Sequence, residues 1–305
     1  MTIHTPILVE PIVDALVEPF RLLPENSPTH WLLDCTFGGG GHTAAFLEAF
    51  DKNNLNKHRI LALDQDPLAI KKGKDRFKTE IAAGRLQITE AHFGEFDQLV
   101  KGKPVLGILA DLGFSSDQMG DPTRGLSFKE EGPLDMRMDP NRGETAYEYL
   151  QHVSEEELRD ALLKLGEERF SRRIAAAIIR ARNHGELRNS TKGLSDIVVR
   201  SIPGFARHGR IHAATRTFQA LRIVVNNELG ELDNLLKHAI LFLERGGRIA
   251  ILSFHSLEDR IVKWAIKNEA SKFRAMTKKP ITASEKEEKE NPRSRSAKLR
   301  IAERI

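Results

Sequence analysis

Four short apolar runs punctuate the first third of the chain: WLLDCT (31–36), RILALD (59–64), RLQITEAHF (85–93) and VLGILADLG (105–113). Segments with helical spacing lie between them, HTAAFLEAF (42–50) and DPLAIKKGKDRF (66–77), the second opened by Asp66 with Pro67 in its first turn. Strands that are apolar almost throughout have no solvent face. They predict an α/β fold with a mostly parallel sheet covered by helices on both sides.

The alternation stops at 114–140, a stretch rich in Gly, Pro and Asp and too long for a simple connection. Helical spacing follows to about residue 200, with Ser154 and Glu157 placed as a capping box. The α/β pattern resumes at 217–247, where Phe218, Leu221, Val225, Leu229, Leu232, Leu236 and Ile240 form one stripe that Gly230 is expected to break. RIAILSF (248–254) predicts a buried strand, and HSLEDRIVKWAI (255–266) a helix with Ser256 and Asp259 at capping-box spacing. EKEEKENP (285–292) reads as a solvated run and SAKLRIAERI (296–305) as a closing edge strand. The expected organisation is a discontinuous domain, 1–112 with 216–305, interrupted by a mostly helical insertion at 113–215. Such an insertion would sit at the carboxyl ends of the strands, where open α/β sheets bind ligands.

The longest apolar runs, such as IAAAII (174–179), are too short to span a bilayer, and MTIHTPILVEPIV does not read as a secretory leader. No membrane association and a cytoplasmic location are therefore expected. A single cysteine, Cys35, excludes an internal disulfide and argues against a thiolate metal site, and no metal is expected. Basic residues cluster at 170–188, 200–216 and 291–304, which makes a polyanionic partner the natural expectation.

DCTFGGGGHT (34–43) sets four glycines after the first strand. A triphosphate site needs a lysine after the glycines, and here His42 and Thr43 follow. A dinucleotide site fits Gly38, Gly40 and the acidic Asp64, but Thr43 occupies the third glycine's place. An S-adenosylmethionine site fits Asp34, Thr36, Gly38 and Gly40, with threonine in place of the first glycine. Asp34 can accept from a cationic or amino group, Asp64 from both ribose hydroxyls, and Asp111 ends the fourth strand. The aspartates also suit helix and turn caps, Asp66 above all.

DCTFGGGGHT, ALDQDPLAI, ADLGFSSDQM, RGLSF, GPLDMRMD, GEERFSRRIAAAI, ATRTFQALRI, NELGEL, SFHSLEDRIVK and NPRSRSAKLRIAER together resemble the ribosomal RNA small-subunit methyltransferase H family over nearly the full length. The resemblance implies a class I (Rossmann-like) methyltransferase fold with an inserted helical domain for RNA recognition. It implies S-adenosylmethionine-dependent methylation of N4 of a cytosine, number 1402 in the standard scheme, in the decoding centre of bacterial 16S rRNA. By motif, the cofactor contacts fall on Gly40, Gly41, His42, Asp64, Phe93, Asp111 and Gln118.

An exocyclic amine is a poor nucleophile, so its methylation depends on positioning and on stabilising the charge that grows on nitrogen. Enzymes for such amines often carry Asp/Asn-Pro-Pro-Tyr/Phe after strand four. Asp111-Leu-Gly-Phe114 keeps the acid and the aromatic without the prolines. Asp111 is the expected acceptor near the amine, its rival role being that of a cofactor ligand. Ser115 could bond the base, and His255 could orient base or ribose. Arg172, Arg173, Arg207 and Arg210 are expected to hold phosphates of a 16S rRNA within the small ribosomal subunit. Methylation at cytosine C5 ordinarily needs a cysteine that adds to the ring, which disfavours it here. Two other functions compete: a pre-ribosome assembly factor that binds cofactor without turnover, and a nicotinamide-dependent oxidoreductase.

Overall fold

The computed structural model describes residues 6–207, 209 and 211–305. They divide into two compact units, Met1–Ser115 with Leu229–Ile305, and Ser116–Glu228.

The first unit is built on one sheet of seven strands: β1 (Trp31–Asp34), β2 (Arg59–Asp64), β3 (Leu86–Glu90), β4 (Val105–Asp111), β5 (Leu243–Ser253), β6 (Phe273–Ala275) and β7 (Lys298–Arg304). Their order is β3-β2-β1-β4-β5-β7-β6. The first five run parallel, and β7 is antiparallel to both β5 and β6. Alternate residues of the central strands serve opposite faces. Leu32, Ile60, Ala62 and Leu109 join one core with the helices Val9–Arg21 and Gly41–Lys52. Leu33, Leu61, Leu63, Ile108 and Ala110 join the other with Leu232, Leu235 and Ala239 of the helix Glu228–Phe242. With both faces covered, every central strand reads as apolar throughout.

Several local outcomes depart from the sequence patterns, each for a physical reason. Helix Val9–Arg21 forms although Pro19 lies inside it. A proline cannot donate to the carbonyl four residues back. That carbonyl, Ala15 O, accepts instead from Arg248 Nη1 at 3.0 Å. The long stripe at 217–247 breaks at Asn226–Asn227 rather than at Gly230, giving helices Thr215–Val225 and Glu228–Phe242. Asn227 takes φ +48°, a left-handed conformation that asparagine tolerates. Glu285–Glu290 is a helix whose cap is Ser284, and SAKLRIAERI lies inside the sheet because the short β6 forms the edge.

The second unit is helical: Ala146–His152, Glu155–Lys164, Ser171–Asn183, Thr191–Ser201 and Thr215–Val225. Thr215–Val225 packs against Glu155–Lys164, so this unit runs on to Glu228, beyond the 215 read from the sequence. Ser154 and Thr145 both close capping boxes. The irregular stretch before these helices is held by side chains that satisfy its backbone. Gly132 N–H donates to Thr191 Oγ1 (3.0 Å), Leu134 N–H to Asn189 Oδ1 (2.7 Å) and Met138 N–H to Asn226 Oδ1 (2.7 Å). The stretch's own Leu134, Met136 and Met138 are buried. Among the described residues, no helix is long and apolar enough to cross a membrane.

Gly73, in helix Pro67–Arg76, is a close-approach position: a Cβ there would lie 2.3 Å from Cε1 of the buried Phe37. Gly→Ala in an exposed helix stabilises by roughly 1 kcal/mol. Here overpacking should reverse the sign, and Gly73→Ala is expected to cost about 1–3 kcal/mol in thermal or urea unfolding. Stabilisation by this substitution would contradict the packing described.

Candidate active site

Three adjacent strands of the first unit, β2, β1 and β4, each end in an aspartate: Asp64, Asp34 and Asp111. The turn after β1 is fastened to both neighbours. Gly38 N–H donates to Asp64 Oδ2 at 2.7 Å, and Asp66 N–H donates to Asp64 Oδ1 at 2.9 Å. On the other side, Asp111 N–H donates to Thr36 Oγ1 at 2.7 Å. Thr43, in the first turn of helix Gly41–Lys52, donates its hydroxyl to Asp34 Oδ2 at 2.7 Å, and Thr36 N–H donates to Oδ1 at 3.2 Å. Gly38 holds φ +51°, and a side chain there would meet nothing closer than 3.9 Å, one of those atoms being Ser115 Cβ. Its Cβ side is therefore open, whereas those of Gly40 and Gly41 are closed by Phe37, Phe77 and Pro6.

His42 is buried beside this group. Its Nε2 lies 3.0 Å from Ile7 O, and a carbonyl can only accept, so Nε2 carries a proton. Its Nδ1 faces Asp111 Oδ2 at 3.7 Å, an ion pair when the ring is protonated. Arg293 completes the arrangement: its Nη2 donates to Phe114 O at 2.6 Å, and its guanidinium lies 5.8 Å from the Phe114 ring centroid. Sequence reasoning missed Arg293, because in NPRSRSAKLR it looks like one cation of a solvated basic cluster. The signal available was its place within a long motif rather than its charge.

Burial dominates the electrostatics. It pushes the Asp111 carboxyl up to about 6, against the opposing pull of His42 and with a further push from Asp34; Arg293 pulls it down and Glu258 raises it. Asp64 is likewise raised to about 6 by burial, although the Asp66 and Gly38 amides favour its ionised form. Burial also raises Asp34, despite its bonds to Thr43 and Thr36. Further positive charge arriving at the site would draw such carboxyls toward their ionised form and lower their pKa. Cys35 is buried in the core with its thiol pushed well up by burial and by Asp34, so it is no nucleophile.

The other expected residues fall as follows. Phe93 opens a short turn, Phe93–Glu95, just beyond β3, partly buried against the core. His255 is the N-cap of helix Ser256–Asn268, where the sequence had suggested Ser256. Its Nδ1 accepts from Glu258 N–H at 3.4 Å, and its Nε2 lies 3.1 Å from Glu258 Oε1, within ion-pair range but off the hydrogen-bond axis. Gln118 belongs to the second unit, buried on Ser116–Gly120. Arg172, Arg173 and Arg207 are exposed on that unit, and Arg210 lies outside the described residues.

Asp111→Asn removes a carboxyl whose folded value exceeds its ordinary 3.8. Such a group stabilises the fold below about pH 4 and loses that contribution as pH rises through about 6, so the amide should stabilise the free protein at about pH 8 by roughly 3 kcal/mol or less. Thermal melts should show the gain shrinking towards about pH 5. A variant less stable than the parent at the higher pH would contradict this electrostatic account.

The family model described as the MraW methylase family matches residues 1–305. The chain is 47% identical over 282 residues to a ribosomal RNA small subunit methyltransferase H of Synechococcus sp. (strain JA-2-3B'a(2-13)), covering 89% of this chain and 85% of that one. It is 47% identical over 279 residues to the protein of the same name from Sorangium cellulosum (strain So ce56), covering 90% and 84%. A third of that name, from Synechococcus sp. (strain RCC307), is 44% identical over 303 residues, covering 99% and 95%. With the whole chain matched, and with parallel strand ends carrying a glycine turn between two aspartates, the chain belongs to the MraW methylase family.

Proposed function

We propose that the protein transfers a methyl group from S-adenosylmethionine to N4 of a cytosine, number 1402 in the standard scheme, in the 16S rRNA of the small ribosomal subunit. The observation that carries the cofactor reading is the row of three aspartates on β2, β1 and β4, Asp34 buried and Asp64 and Asp111 partly buried. A site of this sign suits a ligand with a sulfonium and an ammonium group. It does not suit the pyrophosphate of a nicotinamide dinucleotide, whose usual amide partner at the glycine turn, Gly38 N–H, is already given to Asp64. The residues fit the group in a second respect: a carboxylate accepts at about four positions, so Asp64 keeps capacity for ribose hydroxyls after bonding two amides. When bound, S-adenosylmethionine supplies an electrophilic methyl on a positively charged sulfur.

In this reading the protein's own residues orient the base, favour the charge growing on nitrogen and take its proton. Asp111, ionised beside the cofactor's charge, accepts from the amine, and His42 Nδ1, 3.7 Å from Asp111 Oδ2, holds that carboxylate when its ring is protonated. Arg293 holds the Phe114 carbonyl and so fixes the turn that carries Asp111 and Ser115. Cys35, buried and protonated, supports attack by nitrogen rather than methylation at C5.

Labelled methyl transfer to small subunits, free rRNA and DNA, followed by identification of the product nucleoside, tests the reading. Label is expected in the RNA as N4-methylcytidine. Asp111→Ala should lower kcat by about 10²–10⁴. Any other nucleoside would overturn the assignment, and a variant with undiminished turnover would remove Asp111 from the chemistry. A variant that lost turnover without any loss of function in cells would favour the assembly-factor alternative.

The second unit supplies support for an RNA partner. Arg172 and Arg173 stand exposed in the first turn of Ser171–Asn183, where the helix dipole disfavours cations and favours anions. Arg172→Glu with Arg173→Glu should weaken RNA binding, and the salt dependence of binding should lose roughly 0.7 in log–log slope per lost phosphate contact. Affinity for S-adenosylmethionine should stay as it was; equal losses for both ligands would contradict a phosphate-holding role.

A further inference from the structure

Phe205 is 81% exposed, the most exposed large apolar side chain among the described residues. It sits in the short turn Gly204–Ala206, between helices Thr191–Ser201 and Thr215–Val225 of the second unit. Nothing in the folding of that unit calls for an aromatic ring in water. Its ring centroid lies 6.5 Å from that of Phe170, inclined at 67°, and the Arg169 guanidinium lies 4.7 Å from the Phe170 centroid. Phe170 lines a cavity of about 250 Å³, with Glu168, Arg169, Ile202, His212 and Arg216 among its walls.

Glu168 gives this cavity a chemical preference. The residue is buried, and Phe170 N–H donates to its Oε1 at 2.8 Å. A carboxylate accepts at about four positions, so capacity remains for N–H donors of a ligand. The cavity's cations are Arg169 and Arg216 in the walls, with the exposed Arg207 bonded to the carbonyl of the lining Ile202. An apolar ring, a recessed acceptor and these guanidinium groups match one ligand class. That class is an unstacked nucleobase with an amino edge, carried on a phosphate backbone.

We propose that the second unit holds a nucleobase-stacking site. One splayed base of the RNA stacks on Phe205 beside Phe170, turns its amino edge to Glu168, and has its flanking phosphates held by Arg169 and Arg207. The site rests on the RNA reading above and is distinct from the strand-end aspartates where the methyl group would be transferred. Its role is to anchor the RNA by a second base.

The test uses the full chain and two probes, small ribosomal subunits and a short oligocytidylate, with an abasic oligomer of equal charge as control. Phe205→Ala should raise KM for subunits about tenfold, the scale of one lost base–aromatic stack, and leave kcat and cofactor affinity unchanged. Phe205→Trp should restore KM. Its emission, after subtraction of the parent chain's two tryptophans, should be quenched by oligocytidylate and not by the abasic oligomer. Glu168→Gln should weaken oligocytidylate binding and leave the abasic control unaffected. An unchanged KM in Phe205→Ala, or equal quenching by both oligomers, would overturn the stacking site in a chain still active on RNA. A parent chain that methylates no RNA would overturn the functional reading instead, and the quenching comparison would still decide the site.

Discussion

The turn after β1 is tied on both sides, and the site depends on that. Its Gly38 amide binds the Asp64 carboxylate at the end of β2, and its Thr36 hydroxyl receives the Asp111 amide at the end of β4. Two hydrogen bonds thus hold three strand ends in register beyond the last ladder bonds, Phe37 N–H to Leu63 O and Cys35 N–H to Leu109 O. The cost falls on the carboxyl groups, which are buried or partly buried with few cations near them, so that Asp64 and Asp111 titrate near 6. A site built this way is less stable empty than it would be with amides in place of acids, a common trade between stability and function.

That arrangement also separates the competing chemistries of a glycine turn. Anion sites use free amides at a helix N-terminus. Here an amide of the turn is given to an aspartate, and two further aspartates close the row, so the turn contributes shape and leaves the acids to set the ligand's charge. Gly40 and Gly41 fit the same division. Phe37, Phe77 and Pro6 close the side where a Cβ would stand, which leaves only their other face for a ligand.

Most of the sheet was legible in the sequence because buried parallel strands leave a strong local mark. RILALD coincides with β2, and the other apolar runs match strands to within a few residues. Features set by distant partners were not legible. Helix Val9–Arg21 tolerates Pro19 because Arg248, far along the chain, takes the freed carbonyl. β7 reads as an edge strand by pattern and lies inside the sheet because three residues of β6 pair with it. The site divides in the same way. Asp34, Asp64 and Asp111 announce themselves as acids at the ends of apolar runs. Arg293 reads as surface charge, and its place under Phe114 emerges only from the fold. His255 carries two readings in sequence, and its bonds to Glu258 show a cap.

The central claim is that a cationic ligand draws the strand-end carboxyls into their ionised form. Calorimetric titration of the protein with S-adenosylmethionine at about pH 6, in buffers of different ionisation enthalpy, measures the protons exchanged on binding. The account predicts net proton release at that pH, vanishing at about pH 8 and reduced in Asp64→Asn and in Asp111→Asn. Binding with no proton release at about pH 6, or with release that both variants retain in full, would contradict it.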